Sequence, residues 1–285
     1  MIGVTGATGR IGSELVRLLS EGGRAVRAFT RRPDEQDAID GVEWVEADLI
    51  ERDMLPAAFD GCRRLFLLTG NGEDMVRLQK NVIRAAGESG VERVVKLSAL
   101  GATDHSKSII GLWHYNVERV LRESGLDWTI LRPHHFMQNL LDPLTFDREA
   151  GVVYSASGDG AIPFIDARDI AAVAATVVTE DGHAGETYTL TGPEAVSYRD
   201  ATETLARVLD RTLEYRAASL DEAWRRRRDA GQSVWLAAAQ LAIAEYQRAG
   251  GPTARTTDTV EVITGRAPRT VEQFVRDHTE ELSAR

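Results

Sequence analysis

The feature that most narrows the fold is Gly6-Ala7-Thr8-Gly9-Arg10-Ile11-Gly12, set between a short apolar run, Ile2 to Thr5, and a helical repeat. Ile11, Leu15, Leu18 and Leu19 recur at i, i+4, i+7 and i+8, which is one face of a helix. Gly22-Gly23 stops that helix, and a second strand, Ala25 to Thr30, follows. A strand, a glycine-rich turn, a helix and a second strand make a βαβ unit of the kind that holds a dinucleotide. Gly6 and Gly9 let the backbone approach a pyrophosphate, and Gly12 lets helix and strand pack closely. The unpaired N–H groups and positive dipole end of the helix then bind the anion. Gly6, Thr8, Gly9, Arg10, Ile11 and Gly12 are the expected cofactor-binding residues of this turn.

The end of the second strand selects among dinucleotides. An NAD site carries an acid about 20 residues past the glycines, to accept from the ribose 2′-hydroxyl. Here the chain reads Phe29-Thr30-Arg31-Arg32-Pro33, with Asp34 and Glu35 slightly too late. Guanidinium groups suit a 2′-phosphate, so Arg31 and Arg32 point to NADPH/NADP, with NADH less favoured; one of the two arginines is expected to be a solvated loop charge.

Further along, Val42 to Ala47 reads as a short alternating strand ending at Asp48-Leu49. Asp48 and Leu49 can meet the adenine, and Asp48 can equally cap the next helix, Asp53 to Phe59. Arg64 to Leu68 is a continuous apolar strand buried on both faces. Thr69-Gly70-Asn71 follow at its carboxyl end, where the cofactor crevice belongs, so Thr69 and Gly70 join the cofactor set. A helix marked by Met75, Leu78, Val82, Ala85 and Ala86 closes at Gly90. Val91 to Leu97 then forms the fifth strand, ending at Ser98, another cofactor candidate. A helix over about Ser108 to Ser124 and a sixth strand, Trp128 to Leu131, precede Arg132-Pro133. Strands alternating with helices mean an α/β fold with a doubly wound parallel (Rossmann) sheet.

Beyond Pro133 the rhythm breaks. The expected division is a cofactor domain at 1–133, completed by about 162–191. A smaller, mainly C-terminal α+β substrate lobe is formed by 134–161 and 192–285.

Composition sets outer bounds. Of 285 residues, 43% are hydrophobic and 27% charged, enough for a proper core. A formal net charge of −10 argues against a nucleic-acid surface, which needs a basic face. No apolar run of about 18 residues predicts a membrane span. The N-terminus enters a core strand at once, so no signal or transit peptide is expected. Cys62, alone, cannot make an internal disulfide and reads as a small buried residue before a strand. A cytoplasmic monomer or homodimer acting on a small molecule is the expectation, with neither nucleic acid nor membrane as partner.

The sequence resembles the NmrA-like group of atypical short-chain dehydrogenases/reductases. The resemblance rests on GATGRIG at 6–12, Arg31, Val94 to Ala102, His114 with Glu118, and Ser124 to Pro133. Phe136-Met137-Gln138-Asn139, Ile165 to Ala171 and Thr264 to Thr270 extend it over nearly the whole chain. It implies NADP binding and, in most members, reduction of quinones, dyes, plant phenolics or natural products; some members are regulators that bind NADP without turnover. The Tyr-xxx-Lys pair of typical short-chain dehydrogenases is replaced here by Tyr115-Asn116-Val117-Glu118-Arg119. Where the usual serine follows Ser98 by two positions, Leu100 stands. The resemblance aligns His114 with the catalytic lysine of the phenolic reductases.

His114 is therefore the first catalytic candidate, its ordinary pKa lying near neutrality, with Tyr115 second, about 100° away round the helix. A bond from His114 to Glu118, one turn on, is the structural alternative. His134 and His135, where the resemblance places the nicotinamide contacts and pocket floor, are expected to line a substrate pocket with Trp113, Phe136 and Met137. No third ligand accompanies the histidine pair, so no metal is expected. Asp166, Arg168 and Asp169 read as a structural ion cluster and helix cap. Arg225 to Arg228 read as a solvated helix face, and Val234 to Tyr246 as a helix over the pocket or a dimer contact. The expected function is NADPH-dependent reduction of a bulky apolar acceptor: a quinone, an enone, or an aromatic or polyketide carbonyl. The alternative is a non-catalytic NADP(H) sensor that binds a protein partner.

Overall fold

The structure, a computed structural model, describes residues 1–284 and falls into two compact units. The first comprises Met1–His105, Ile110–Pro133 and Arg168–Thr189; the second comprises Ser106–Ile109, His134–Ala167 and the chain from Leu190 on. In chain order the elements begin β1 (Ile2–Val4), α1 (Arg10–Glu21), β2 (Val26–Thr30), β3 (Val42–Glu46) and α2 (Leu55–Phe59). They continue β4 (Arg64–Leu67), α3 (Met75–Glu88), β5 (Arg93–Leu97), α4 (Ile109–Arg122) and β6 (Asp127–Pro133). The chain then supplies β7 (Phe146–Asp147), β8 (Val152–Ser155), α5 (Ala167–Thr179), β9 (Glu186–Leu190), α6 (Tyr198–Leu209) and β10 (Glu214–Ala217). It ends in α7 (Leu220–Asp229), α8 (Val234–Ala249), α9 (Thr259–Thr264), α10 (Val271–Asp277) and α11 (Thr279–Ser283).

The first unit is built on a sheet of order β3-β2-β1-β4-β5-β6-β9, parallel from β3 through β6. Residues of β1 are buried throughout, as are those of β5, although β5 carries Arg93 and Lys96 among its apolar residues. Strand order reverses between β1 and β4, and the crevice at such a switch point is where ligands of this architecture bind. Thr5 fastens that point: its hydroxyl donates to Leu68 O at 2.9 Å and accepts from Leu68 N–H at 2.9 Å.

The expected helix over Asp53 to Phe59 divides into a 3-10 turn, Arg52–Met54, and α2. Pro56, lacking an N–H, is compatible only with the first turn of an α-helix, so the α-helix starts beside it. So short a helix is unstable alone. Leu55 and Phe59 hold it, each fully buried in the core cluster that includes Phe29, Leu65 and Val82 and contributing roughly 1.5–3 kcal/mol by removal from water.

The second unit carries a three-stranded sheet, β10-β8-β7, with β8 and β10 parallel and β7 and β8 antiparallel. Its core gathers Met137, Phe146, Phe164, Tyr198, Leu205 and Phe274. Ser197, Ser219 and Thr270 start α6, α7 and α10 with capping boxes closed by Asp200, Glu222 and Gln273. Among the described residues no helix is long and apolar enough to cross a membrane.

Candidate cofactor and catalytic site

The glycine turn has the geometry its chemistry requires. Gly6 sits at φ +63°, and a Cβ there would stand 2.8 Å from Leu68 O. Gly9 N–H donates to Gly6 O at 3.0 Å, which closes the turn. A Cβ on Gly12 would run into the Gly6 carbonyl oxygen, so any larger residue would push α1 off the strand. Gly9 is the N-cap of α1, where neither a side-chain cap nor an acid in the first turn answers the exposed N–H groups. Thr8, Gly9 and Arg10 are exposed, while Ile11 and Gly12 are buried beneath them. A narrow backbone cradle in front of an uncapped helix start fits a dinucleotide pyrophosphate.

At the end of β2 the two arginines differ. Arg32 pairs with Glu35 at 2.9 Å, whereas Arg31 is exposed and has no ion pair among the described residues. Asp48 caps no helix: its carboxylate accepts from Ile50 N–H at 3.0 Å and tightens its own turn. Asn81 on α3 holds that turn by donating to Leu49 O at 3.0 Å. Thr69 accepts from Gln79 at 2.8 Å, and Gly70 is exposed beside it. Ser98 is buried, and its hydroxyl donates to Glu118 at 2.5 Å.

Between β5, α4 and β6 lies a buried polar network. Residues Ile110, His114, Val117, Glu118 and Leu121 form the inward stripe of α4, so His114 and Glu118 face the sheet and Tyr115 falls off the stripe. Glu118 receives Ser98, a two-pronged contact from Arg132 at 2.9 and 2.5 Å, and Arg122 at 3.1 Å. Burial alone would raise its pKa, but the hydrogen bonds from Arg132 and Ser98 outweigh that and hold it below the usual carboxylate range. His114 does not bond to Glu118. Its Nδ1 meets Lys96 Nζ at 2.9 Å instead, and the lysine also donates to Leu97 O at 3.0 Å. Burial, then the charges of Lys96 and Arg132, push the imidazole well below its ordinary value, so it is neutral. Lys96, which the sequence reading passed over, is fully buried and pushed down to about 7.

In the second unit His134 and His135 are both neutral, burial pushing them to about 4 and about 3. His134 Nδ1 accepts from His135 N–H at 2.7 Å, and His135 Nε2 meets Tyr198 OH at 2.8 Å. His135 also packs edge-on to Phe164. A cavity of about 70 Å³ is lined by His135, Asn139, Tyr198, Arg227, Gln240 and Gln247, the last two from α8. Met137 is wholly taken up by the core, while Phe136 is partly buried and bridges to Ile165. Trp113 is partly buried on α4. The arginine run is not a solvated face throughout: Arg226 lies over the Tyr154 ring at 3.6 Å and Arg227 donates to Gln240 at 2.7 Å. Asp166 is buried and accepts from Gln138 at 3.0 Å. No group of three metal-ligating side chains occurs among the described residues.

Residues 6–181 match the family model described as NAD(P)H-binding. The chain belongs to that family. Within it the chain is NmrA-like, as the motifs at 6–12 and 94–102 imply. It is 36% identical over 291 residues to the NAD(P)H azoreductase of Xenophilus azovorans, covering 100% of both chains. A reductase of Streptomyces griseus named for (4-alkanoyl-5-oxo-2,5-dihydrofuran-3-yl)methyl phosphate is 36% identical over 282 residues, 98% of each chain. Among solved structures, the NADPH-dependent quinone oxidoreductase QOR2 of Escherichia coli, complexed with NADPH, superposes with a TM-score of 0.89. That structure is 27% identical and covers 97% of this chain and 99% of its own. This NmrA-like chain is an NAD(P)H-dependent oxidoreductase that acts on a small molecule.

Proposed function

We propose that this protein is a reductase that prefers NADPH and delivers its reducing equivalents to a bulky, mostly apolar acceptor: a quinone, an enone, or an aromatic or polyketide carbonyl. Gly6 to Gly12 would hold the pyrophosphate, Arg31 the 2′-phosphate, and Asp48, Leu49, Thr69 and Gly70 the adenine side and crevice. Ser98, its hydroxyl committed to Glu118, would contribute through its backbone. The bound cofactor supplies the hydride. The names of the similar proteins, an azoreductase, a furanone phosphate reductase and a quinone oxidoreductase, support a conjugated acceptor.

The observation that carries the reading is His114. It is a neutral imidazole on the inward stripe of α4, with Nδ1 held by Lys96 and Nε2 without a hydrogen-bond partner among the described residues. A neutral ring with one nitrogen anchored and the other open can donate a proton to an oxygen that gains charge on reduction. Tyr115 stays the second candidate. Within the second unit, His134, His135 and Phe136 would shape the acceptor pocket, with Met137 supporting it from the core.

The direct test is oxidation of NADPH, followed by loss of the reduced nicotinamide absorbance, across quinones, enones and ketones, with NADH alongside. Turnover with NADPH and one of these classes is expected. Tight NADPH binding without turnover on any of them would count against the reductase reading.

A further inference from the structure

We propose that Lys96 is the proton reservoir behind His114: as the imidazole gives its Nε2 proton to the acceptor, the lysine ammonium passes one to Nδ1. This rests on His114 as the donor proposed above.

A lysine with no exposed surface is rare unless its charge is used. Two acceptors lie within reach of Nζ, Leu97 O at 3.0 Å and His114 Nδ1 at 2.9 Å. No carboxylate pairs with it among the described residues. Glu118 on α4, the nearby acid, is already engaged by Ser98 just after β5, Arg132 of β6 and Arg122 of α4. The charge of Glu118 favours the ammonium and that of Arg132 opposes it. An ammonium can only donate, so Nδ1 accepts and the neutral ring carries its hydrogen on Nε2. Two positive charges at this separation inside a protein disfavour each other strongly, so the pair holds a single positive charge.

The step balances. The Nε2–H bond breaks as an O–H bond forms on the acceptor oxygen, which has gained its electron pair in the reduction. The Nζ–H bond breaks as Nδ1–H forms. The ring stays neutral throughout with its tautomer reversed, the lysine becomes a neutral amine, and solvent returns the lost proton. No charged ring is formed in a buried site, which is the advantage of such a relay.

The test combines ring ¹⁵N chemical shifts of His114 with pH–rate profiles for wild type, K96M and K96R, cofactor affinity serving as the check on folding. In the wild type the shifts should show Nδ1 unprotonated and Nε2 protonated below pH about 7. K96M should lose that preference, lower kcat for a ketone or enone by roughly 10²-fold, and keep its affinity for NADPH. The wild-type fall in rate above pH about 7 should vanish in K96M. K96R, which keeps the charge but cannot release the proton, should restore the tautomer and not the rate. A wild-type ring protonated on Nδ1, or K96M with unchanged kcat and pH profile, would overturn the relay. A wild type that reduces no acceptor overturns the reductase reading instead, and the ring shifts still decide whether Lys96 holds Nδ1.

Discussion

Lys96 Nζ stands 2.9 Å from His114 Nδ1, and of the two groups it is the lysine whose charge is wholly enclosed. Burial is the largest influence on it, and the result is a folded-state pKa of about 7. An unfolded lysine keeps its proton to about pH 10.4. Between those values the unfolded chain binds more protons than the folded one, so stability rises with pH across that window. K96M has no such group. The stability of wild type relative to K96M, from urea unfolding at a series of pH values, should therefore climb by on the order of 4 kcal/mol from pH 7 to 10. A difference that stays flat would mean the lysine is solvated.

Glu118 offers the converse case, a buried charge that is well answered. Its side chain has no exposed surface, and Arg132 and Arg122 keep only 22% and 33% of theirs. Removing one member of such a set leaves a charge uncompensated. E118Q should lose roughly 3 kcal/mol of stability, seen as a lower urea midpoint. Arg122→Ala, at the wetter edge, should lose less than about 1 kcal/mol. Equal losses would show that the network is not ordered as the distances imply.

The parts of the fold visible in the sequence are those decided locally. The glycines at 6, 9 and 12 and the apolar runs in β1 and β4 carry their own signatures: a left-handed turn, a close approach, burial on both faces. What stayed hidden depends on partners distant in the chain. Lys96 meets a residue 18 positions on only because α4 packs its inward stripe over β5, and within Val94 to Ser98 nothing marks it from an outward-facing lysine. His135 finds Tyr198 across 63 residues, too far for any short motif. The arginine run reads as a solvated face because four consecutive helical positions surround the helix; the packing of α8 decides that Arg227 turns inward to Gln240.

Gly12 tests the cradle. A methyl group there meets the Gly6 carbonyl oxygen, backbone that cannot swing aside as a side chain can. G12A should weaken NADPH and NADH alike, by tenfold or more (about 1.4 kcal/mol), while G87A, on the exposed face of α3 with nothing near its Cβ, should change either affinity little. Fluorescence titration of the reduced cofactor measures both. Undiminished binding by G12A would show that the helix start is not where the pyrophosphate rests.

Arg31 and Arg32 separate the 2′-phosphate from the rest of the nucleotide. Arg32 already has Glu35 at 2.9 Å, and a guanidinium so paired has less to offer a phosphate; Arg31 has no such partner among the described residues. A charged hydrogen bond to a phosphate contributes about 1.5–3 kcal/mol, or roughly 10- to 150-fold in affinity. R31A should lose that factor for NADPH and leave NADH within about twofold, because NADH has no 2′-phosphate to grip. R32A should change NADPH far less. The contrast is read from the two dissociation constants of each variant, and it reverses if Arg32 leaves Glu35 to take the phosphate. An equal loss for NADPH and NADH in R31A would instead assign Arg31 to the loop's structure and remove the basis for NADPH preference.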